Sequence, residues 1–302
     1  MAIALTPGVP IAPGGEAPPE RVKRKGKTAY FLLIPGMAWL VFFFVIPLGS
    51  LFLTSLERPL GSGPSAGYAS ALRWQNYTEA LSKYDTEFLR SFWYAGLATI
   101  LCLIISFPLA YFIAFRAGRW RNLLLVLIVA PFFCSFLIRT YAWKTILADD
   151  GFVTTVANSL HLLPDDRILA TPLAVVFGLV YNFLPFMVLP LYASLERIDP
   201  RLIEAAADLY ARPWIGLQRV TIPLAMPGIV AGTLLTFIPA TGDFINSQLL
   251  GSPRTRMIGN VIQTQFARDA LPTAAALSFS LMAVILVVVF TYIRRAGTEE
   301  LL

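Results

Sequence analysis

The sequence predicts an all-α integral membrane protein with six transmembrane helices and a cytoplasmic docking helix between the fourth and fifth. Three observations carry that prediction. First, of 302 residues 57% are hydrophobic and only 14% charged, with a mean hydropathy of +0.67. A soluble domain of that balance would lack the polar surface to stay dispersed. Second, the runs 28–56, 91–115, 122–138, 168–195, 220–242 and 270–293 contain no Asp, Glu, Lys or Arg. Each is near or above the roughly 20 residues that cross a hydrocarbon core about 30 Å thick. Third, with the N-terminus inside, 14 of the 24 Lys and Arg fall on inside segments, as the positive-inside rule requires. The net charge of +6 therefore follows topology and is no signature of nucleic-acid binding.

In chain order, residues 1–27 are Pro/Gly/Ala-rich and then basic. They read as a disordered cytoplasmic tail rather than a cleavable signal peptide. Residues 28–295 then form the six-span membrane domain. Span 1 covers about 29–53, with Pro35 and Pro47 positioned to kink it. An outer loop follows, flexible through Gly61–Gly67, with an interfacial helix over 74–90 whose Trp74, Tyr77, Tyr84 and Phe88 suit the headgroup zone. Span 2 covers 91–115, the Arg116–Arg121 turn returns the chain, and span 3 covers 122–147. The second outer loop carries Asp149, Asp150, Asp165 and Asp166, either an acidic entrance for a cation or a solvated loop. Spans 4, 5 and 6 cover 171–193, 228–250 and 273–293. Cys102 and Cys134 lie within spans as small apolar residues, and His161 is the only histidine. Zinc sites and His-based catalysis are excluded on that inventory.

The polar island 199–228 interrupts the apolar pattern. Asp199 followed by Pro200 is a helix start. Leu202, Ile203 and Ala206 fall on one side of the helix, Glu204, Asp208 and Arg212 on the other. Small residues in its middle admit close approach by another surface, so this is a docking element. Asp243 is the one acid inside a predicted span. Such a group faces a bundle interior or a cavity, where it either lines a cation path or pairs with Arg139 at similar depth. Tyr181 and Asn182 in span 4, with Tyr141 and Trp143 at the outer end of span 3, offer aromatic faces and an amide dipole to a cation. They are equally suited to interface belts and helix contacts. No internal repeat is visible, so the chain reads as one half of a pore rather than a complete two-half carrier. No phosphate-binding G-x-x-x-x-G-K-[ST] is present, so any ATP would be handled by a partner.

The stretch EAAADLYARPWIGLQRVTIPLAMPGI resembles the EAA loop of ABC importer permeases. Glu204, Ala205 and Ala206 match its opening and Ile222-Pro223 its close, while Tyr210 stands where the pattern has Gly. SFLIRTYAWKTIL (135–147), YNFLPFMVLPLYASLERIDPRLIEAA (181–206) and FIPATGDFINSQLLGSP (237–253) are similar to the spermidine/putrescine branch. The resemblance implies a multi-pass subunit of the bacterial inner membrane, both termini cytoplasmic, with no catalytic residues, metal or cofactor of its own. The partners it implies are a second permease subunit, two copies of a cytosolic ABC ATPase and an extracytoplasmic solute-binding protein, all set in the lipid bilayer. Glu204, Ala205, Ala206, Asp208, Tyr210 and Pro223 would couple to the ATPase. The solute would be a small cation such as spermidine or putrescine. Amino-acid derivatives, metal complexes and oxyanions stay open, as does an ion-coupled secondary carrier, which would work without an ATPase.

Overall fold

Helix forms over most of each apolar run, because a chain in hydrocarbon must satisfy its backbone groups internally. The computed structural model describes residues 26–59, 67–159, 167–208 and 212–295. The expected 1–27 tail lies outside the described residues up to 25, while Gly26 and Lys27 already open helix α1 (Gly26–Leu40). A π turn, Val41–Val45, joins α1 to α2 (Ile46–Ser55). The segment up to Gly49 and the remainder, Ser50–Leu302, are separate compact units.

The second unit begins with a short hairpin, β1 (Glu57–Pro59) antiparallel to β2 (Tyr68–Ser70), with Glu57 opposite Ser70. The predicted interfacial helix is α3 (Gln75–Lys83), and the chain turns at Tyr84 into α4 (Asp85–Phe115). At 31 residues α4 is about 46 Å long and starts six residues before the apolar run. Gly118, at φ +47°, makes the return turn at a conformation glycine adopts freely.

Span 3 is not one helix. It divides into α5 (Arg121–Val129), a 3₁₀ turn at Ala130–Phe133 and α6 (Phe136–Ile146), with a bend of 95° between the two halves. Pro131 is tolerated at the start of the 3₁₀ turn, but it cannot donate to a continuing helix. Cys134 and Ser135 then run extended, at ψ 145° and 137°. The second outer loop holds α7 (Phe152–Ser159). Asp149 pairs there with Arg167 at 2.8 Å, while Asp165, Asp166 and His161 lie outside the described residues.

Span 4 is α8 (Pro172–Leu195), capped by the Thr171 hydroxyl accepting from the Ala174 N–H. The helix expected from Asp199-Pro200 is α9 (Pro200–Asp208), with Asp199 Oδ1 accepting from the Arg201 N–H at 3.0 Å. Arg212 falls outside α9, at the N-cap of α10 (Pro213–Gly216), so the charged ridge is reduced to Glu204 and Asp208. A second π turn, Leu217–Thr221, leads to α11 (Ile222–Leu224). Both π turns are built alike: Ile46 donates to the Val41 carbonyl and Ile222 to the Leu217 carbonyl, with Pro47 and Pro223 next in sequence. Proline has no N–H and its ring crowds the carbonyl four residues back; one widened turn relieves both problems without ending the helix.

Span 5 also breaks. It runs as α12 (Met226–Thr241), bent by 68° from the stretch Pro213–Leu224, and the helix stops at Gly242–Phe244 before α13 (Ile245–Leu250). The connection 251–272 contains α14 (Ile258–Ala267), and span 6 is α15 (Leu271–Arg295). Among the described residues four helices are long and apolar enough to cross a membrane, or up to six if each bent pair counts as one.

The core lies where α4, α8 and α12 meet. Ala95, Ala98 and Cys102 of α4 face Val175, Leu179, Met187 and Leu191 of α8, all fully buried. Helices gain little from lipid exclusion, so close backbone approach supplies the attraction. At Gly228 a Cβ would lie 2.5 Å from Ser194 Cβ and 2.7 Å from the Pro190 carbonyl, which fixes how near α12 sits to α8.

Candidate functional site

The two broken spans bring their polar residues to one place beside α8. Asn182, 1% exposed, donates from Nδ2 to Thr140 Oγ1 of α6 at 3.3 Å and to Asn246 Oδ1 of α13 at 3.0 Å. The Asn246 N–H in turn donates to Asp243 Oδ1 at 2.8 Å. One side chain on a straight helix therefore ties together both segments that follow a break. The break at Gly242–Phe244 is what places Asp243 outside regular helix, where its carboxylate caps α13. Gly178, one turn before Asn182, makes room for this: a Cβ there would lie 2.7 Å from Asn246 Oδ1.

Not every donor and acceptor is used. Asn182 Oδ1, Asn246 Nδ2, and Arg139 Nε and Nη1 are buried without a hydrogen-bond partner. Such groups cost roughly 1–3 kcal/mol each unless something fills them. Arg139 and Asp243 do not pair; among the described residues no ion pair joins them. The Arg139 guanidinium instead lies over the rings of Phe132 and Phe136, 5.0 and 5.8 Å from their centroids. Trp143 meets Tyr181 edge-on at 5.1 Å and Phe177 at 4.7 Å, an aromatic wall on the side of Asn182 toward the start of α8. Tyr141 is not part of it; it is exposed, with Lys144 over its ring at 5.5 Å. Thr140 and Asn246 are the members that sequence reasoning missed. Their signal is a hydroxyl and an amide inside apolar runs, which no charge count detects.

A second polar knot joins α13, α14 and the start of α4. Asn260 of α14 bonds Ser247, donates to the Phe244 carbonyl at 2.8 Å and accepts from the Met257 N–H at 3.0 Å. The Ile258 N–H donates to Ser91 Oγ of α4 at 2.7 Å.

At the opposite end, Glu204, Ala205 and Asp208 of α9 are exposed, while Ile203 and Ala206 face inward over a cavity against α4. Tyr210 lies outside the described residues, and Pro223 begins α11 after the π turn. Just before α9, Glu196 forms an ion pair with Arg121, whose guanidinium stacks 5.1 Å above the Tyr192 ring. The Tyr192 hydroxyl and the Arg121 guanidinium hold the Glu196 carboxyl below its ordinary range. This contact ties the start of α5 to the end of α8.

Comparison with known proteins agrees with this architecture. Residues 106–296 match the family described as binding-protein-dependent transport system inner membrane component. The chain is 39% identical over 260 residues to the spermidine/putrescine transport system permease protein PotB of Haemophilus influenzae, covering 85% of this chain and 90% of that one. Its counterpart in Escherichia coli K12 is 38% identical over 87% of this chain and 96% of its own. The E. coli inner membrane ABC transporter permease protein YdcU is 34% identical over 73% and 74%. Among solved structures, a bacterial ABC transporter involved in import of the acidic polysaccharide alginate superposes with a TM-score of 0.70, at 17% identity, covering 91% of this chain and 96% of that one. The likeness extends to an alginate transporter in complex with a periplasmic protein, at a TM-score of 0.65, 17% identity and coverage of 88% and 92%. This chain belongs to the binding-protein-dependent family of inner-membrane transport components, and it is an α-helical, membrane-spanning permease subunit of an ABC importer.

Proposed function

We propose that the chain is one of two permease subunits of an ATP-driven importer for spermidine and putrescine. The observation that carries the substrate is the identity of 38–39% to spermidine/putrescine permeases across at least 85% of the chain. Six spans cross the inner membrane with both termini cytoplasmic. A second permease completes the pore, two copies of a cytosolic ABC ATPase drive it, and an extracytoplasmic binding protein delivers the solute.

Helix α9 docks on the ATPase. Glu204 and Asp208 project toward it, Ala205 and Ala206 allow close approach, and Tyr210 and Pro223 set how the loop leaves the helix. ATP-driven closure of the ATPase pair draws the docking helices together and opens the pathway outward; hydrolysis returns it inward. No bond in the solute changes, and ATP is hydrolysed in the partner subunit. Along the route, Asp243 supplies the negative charge, Asn182 an open amide oxygen, and Trp143 with Tyr181 an aromatic wall for an alkylammonium. Arg139, held against Phe132 and Phe136, keeps a fixed cation beside the path and disfavours a second cation at that level.

The test is Glu204→Lys in vesicles holding the full importer. The variant reaches the membrane in normal amounts and loses solute-stimulated ATPase activity and polyamine uptake. Wild-type uptake by the variant rules the docking role out.

A further inference from the structure

A cavity of about 630 Å³ separates helix α9 from the inner end of α4, within the roughly 300–1,000 Å³ typical of ligand sites. Its apolar surfaces come from Tyr111, Ile203, Trp214 and Leu217, and Arg116 and Arg212 stand at its edge. Among the described residues no Asp or Glu lines it. Among the described residues neither arginine has an ion-pair partner, and both are exposed. The position is the inner membrane boundary: the uncharged run of α4 ends at Phe115, Arg116 is the next residue, and Arg119 lies 5.5 Å over the Trp120 ring. Tryptophan beside arginine is the side-chain pairing of a headgroup zone.

We infer that this cavity binds the headgroup of an anionic phospholipid from the cytoplasmic leaflet. Two guanidiniums without counter-charge clamp a phosphodiester through paired N–H donors. The apolar walls receive the glycerol and the first acyl carbons, which a free phosphate would leave unfilled. The leaflet's negative surface potential concentrates such lipids at this depth. A lipid held there fills the gap between α9 and α4, so movement of α9 is passed to α4 rather than lost in the void. That consequence rests on the docking role of α9 proposed above; the binding itself does not.

The experiment uses the full-length chain in nanodiscs of phosphatidylcholine mixed with phosphatidylglycerol, followed by release into the gas phase and counting of retained lipid. Wild type keeps one phosphatidylglycerol. The variant R116Q/R212Q binds it about thirtyfold more weakly, at about fivefold per charge removed, and R116K/R212K, which keeps the charge but loses the paired donors, falls between it and wild type. Melting in pure phosphatidylcholine, equal for all variants, shows that the fold is intact; the single variants R116Q and R212Q serve if the double variant melts early. Equal retention by wild type and R116Q/R212Q overturns the inference. Equal retention of phosphatidylcholine, or displacement of the lipid by inorganic phosphate, overturns it as well. Equal lipid retention by all variants, with wild-type polyamine uptake normal, is failure of this inference alone; lipid retention that depends on the two arginines, with no polyamine uptake by wild type, is failure of the transport reading alone.

Discussion

The contact between α8 and α12 and the contact among α6, α8 and α13 bury their surfaces by opposite means. In the first, Gly228 and Gly232 press against Pro190, Ser194 and Met187, and the neighbouring core is Ala, Val, Leu and Met. Shape does most of the work there, although the Thr236 hydroxyl, on the same stripe of α12, is buried without a partner. In the second, the buried groups are Thr140, Asn182, Asp243 and Asn246, and several of their atoms, with Arg139 nearby in sequence, have no partner. The first contact runs along uninterrupted stretches of two helices; the second joins α8 to two segments that begin just after an interruption, at Cys134–Ser135 and at Gly242–Phe244. The difference teaches where motion and binding belong. A close-packed apolar contact has no second arrangement of similar energy, whereas a half-satisfied polar cluster gains when a ligand or a neighbouring segment supplies the missing bonds.

The largest expected effect breaks the shape-based contact. Gly228→Leu forces a side chain where even a Cβ meets Ser194 and the Pro190 carbonyl. No monodisperse protein should survive detergent extraction, read by size-exclusion chromatography; normal yield would mean that α8 and α12 are not held by this approach.

Asn182→Leu acts on the other contact. It removes both hydrogen bonds from Nδ2 and strands Thr140 and Asn246. Membrane hydrogen bonds average about 0.6 kcal/mol, so the protein folds with its melting temperature lowered by only a few degrees. Uptake falls at least about tenfold if about 1.4 kcal/mol of positioning is lost. A variant that loses stability and transport in proportion would make Asn182 structural only.

Asp243→Asn is the mildest of the three. The Asn side-chain oxygen still accepts from the Asn246 N–H, so the start of α13 stays capped while the charge is gone. Apparent affinity for polyamine uptake should weaken about five- to tenfold, as loss of about 1–1.4 kcal/mol of charge interaction requires, at an unchanged maximal rate. Unchanged affinity removes Asp243 from the pathway.

Much of this molecule is legible along the chain because hydrocarbon imposes a local rule. Twenty apolar residues without charge report a span regardless of neighbours, and α4, α8 and α15 begin and end within a few residues of their uncharged runs, except where α4 extends outward to Asp85. The starts of α8 and α9 are equally local: Thr171 before Pro172 and Asp199 before Pro200 cap their own helices. The docking helix was legible for the same reason, as a charged, alanine-rich stretch between apolar runs. Spans 3 and 5 were not. A hydropathy window sums composition and is blind to direction, so α5 and α6 read as one span although they turn by 95°, and α14 lay hidden in a connection.

What the amino-acid order determined by itself is therefore the membrane class, the apolar segments, the helix starts and the acid in a span. What only the tertiary structure decided is where the chain breaks and which polar groups then meet. Extended backbone at Cys134–Ser135 and the stop at Gly242–Phe244 are stable at those places because Asn182, 47 residues or more from either in sequence, bonds the segments beyond both breaks. That bond exists only once α8 is packed between them, and no local preference encodes it.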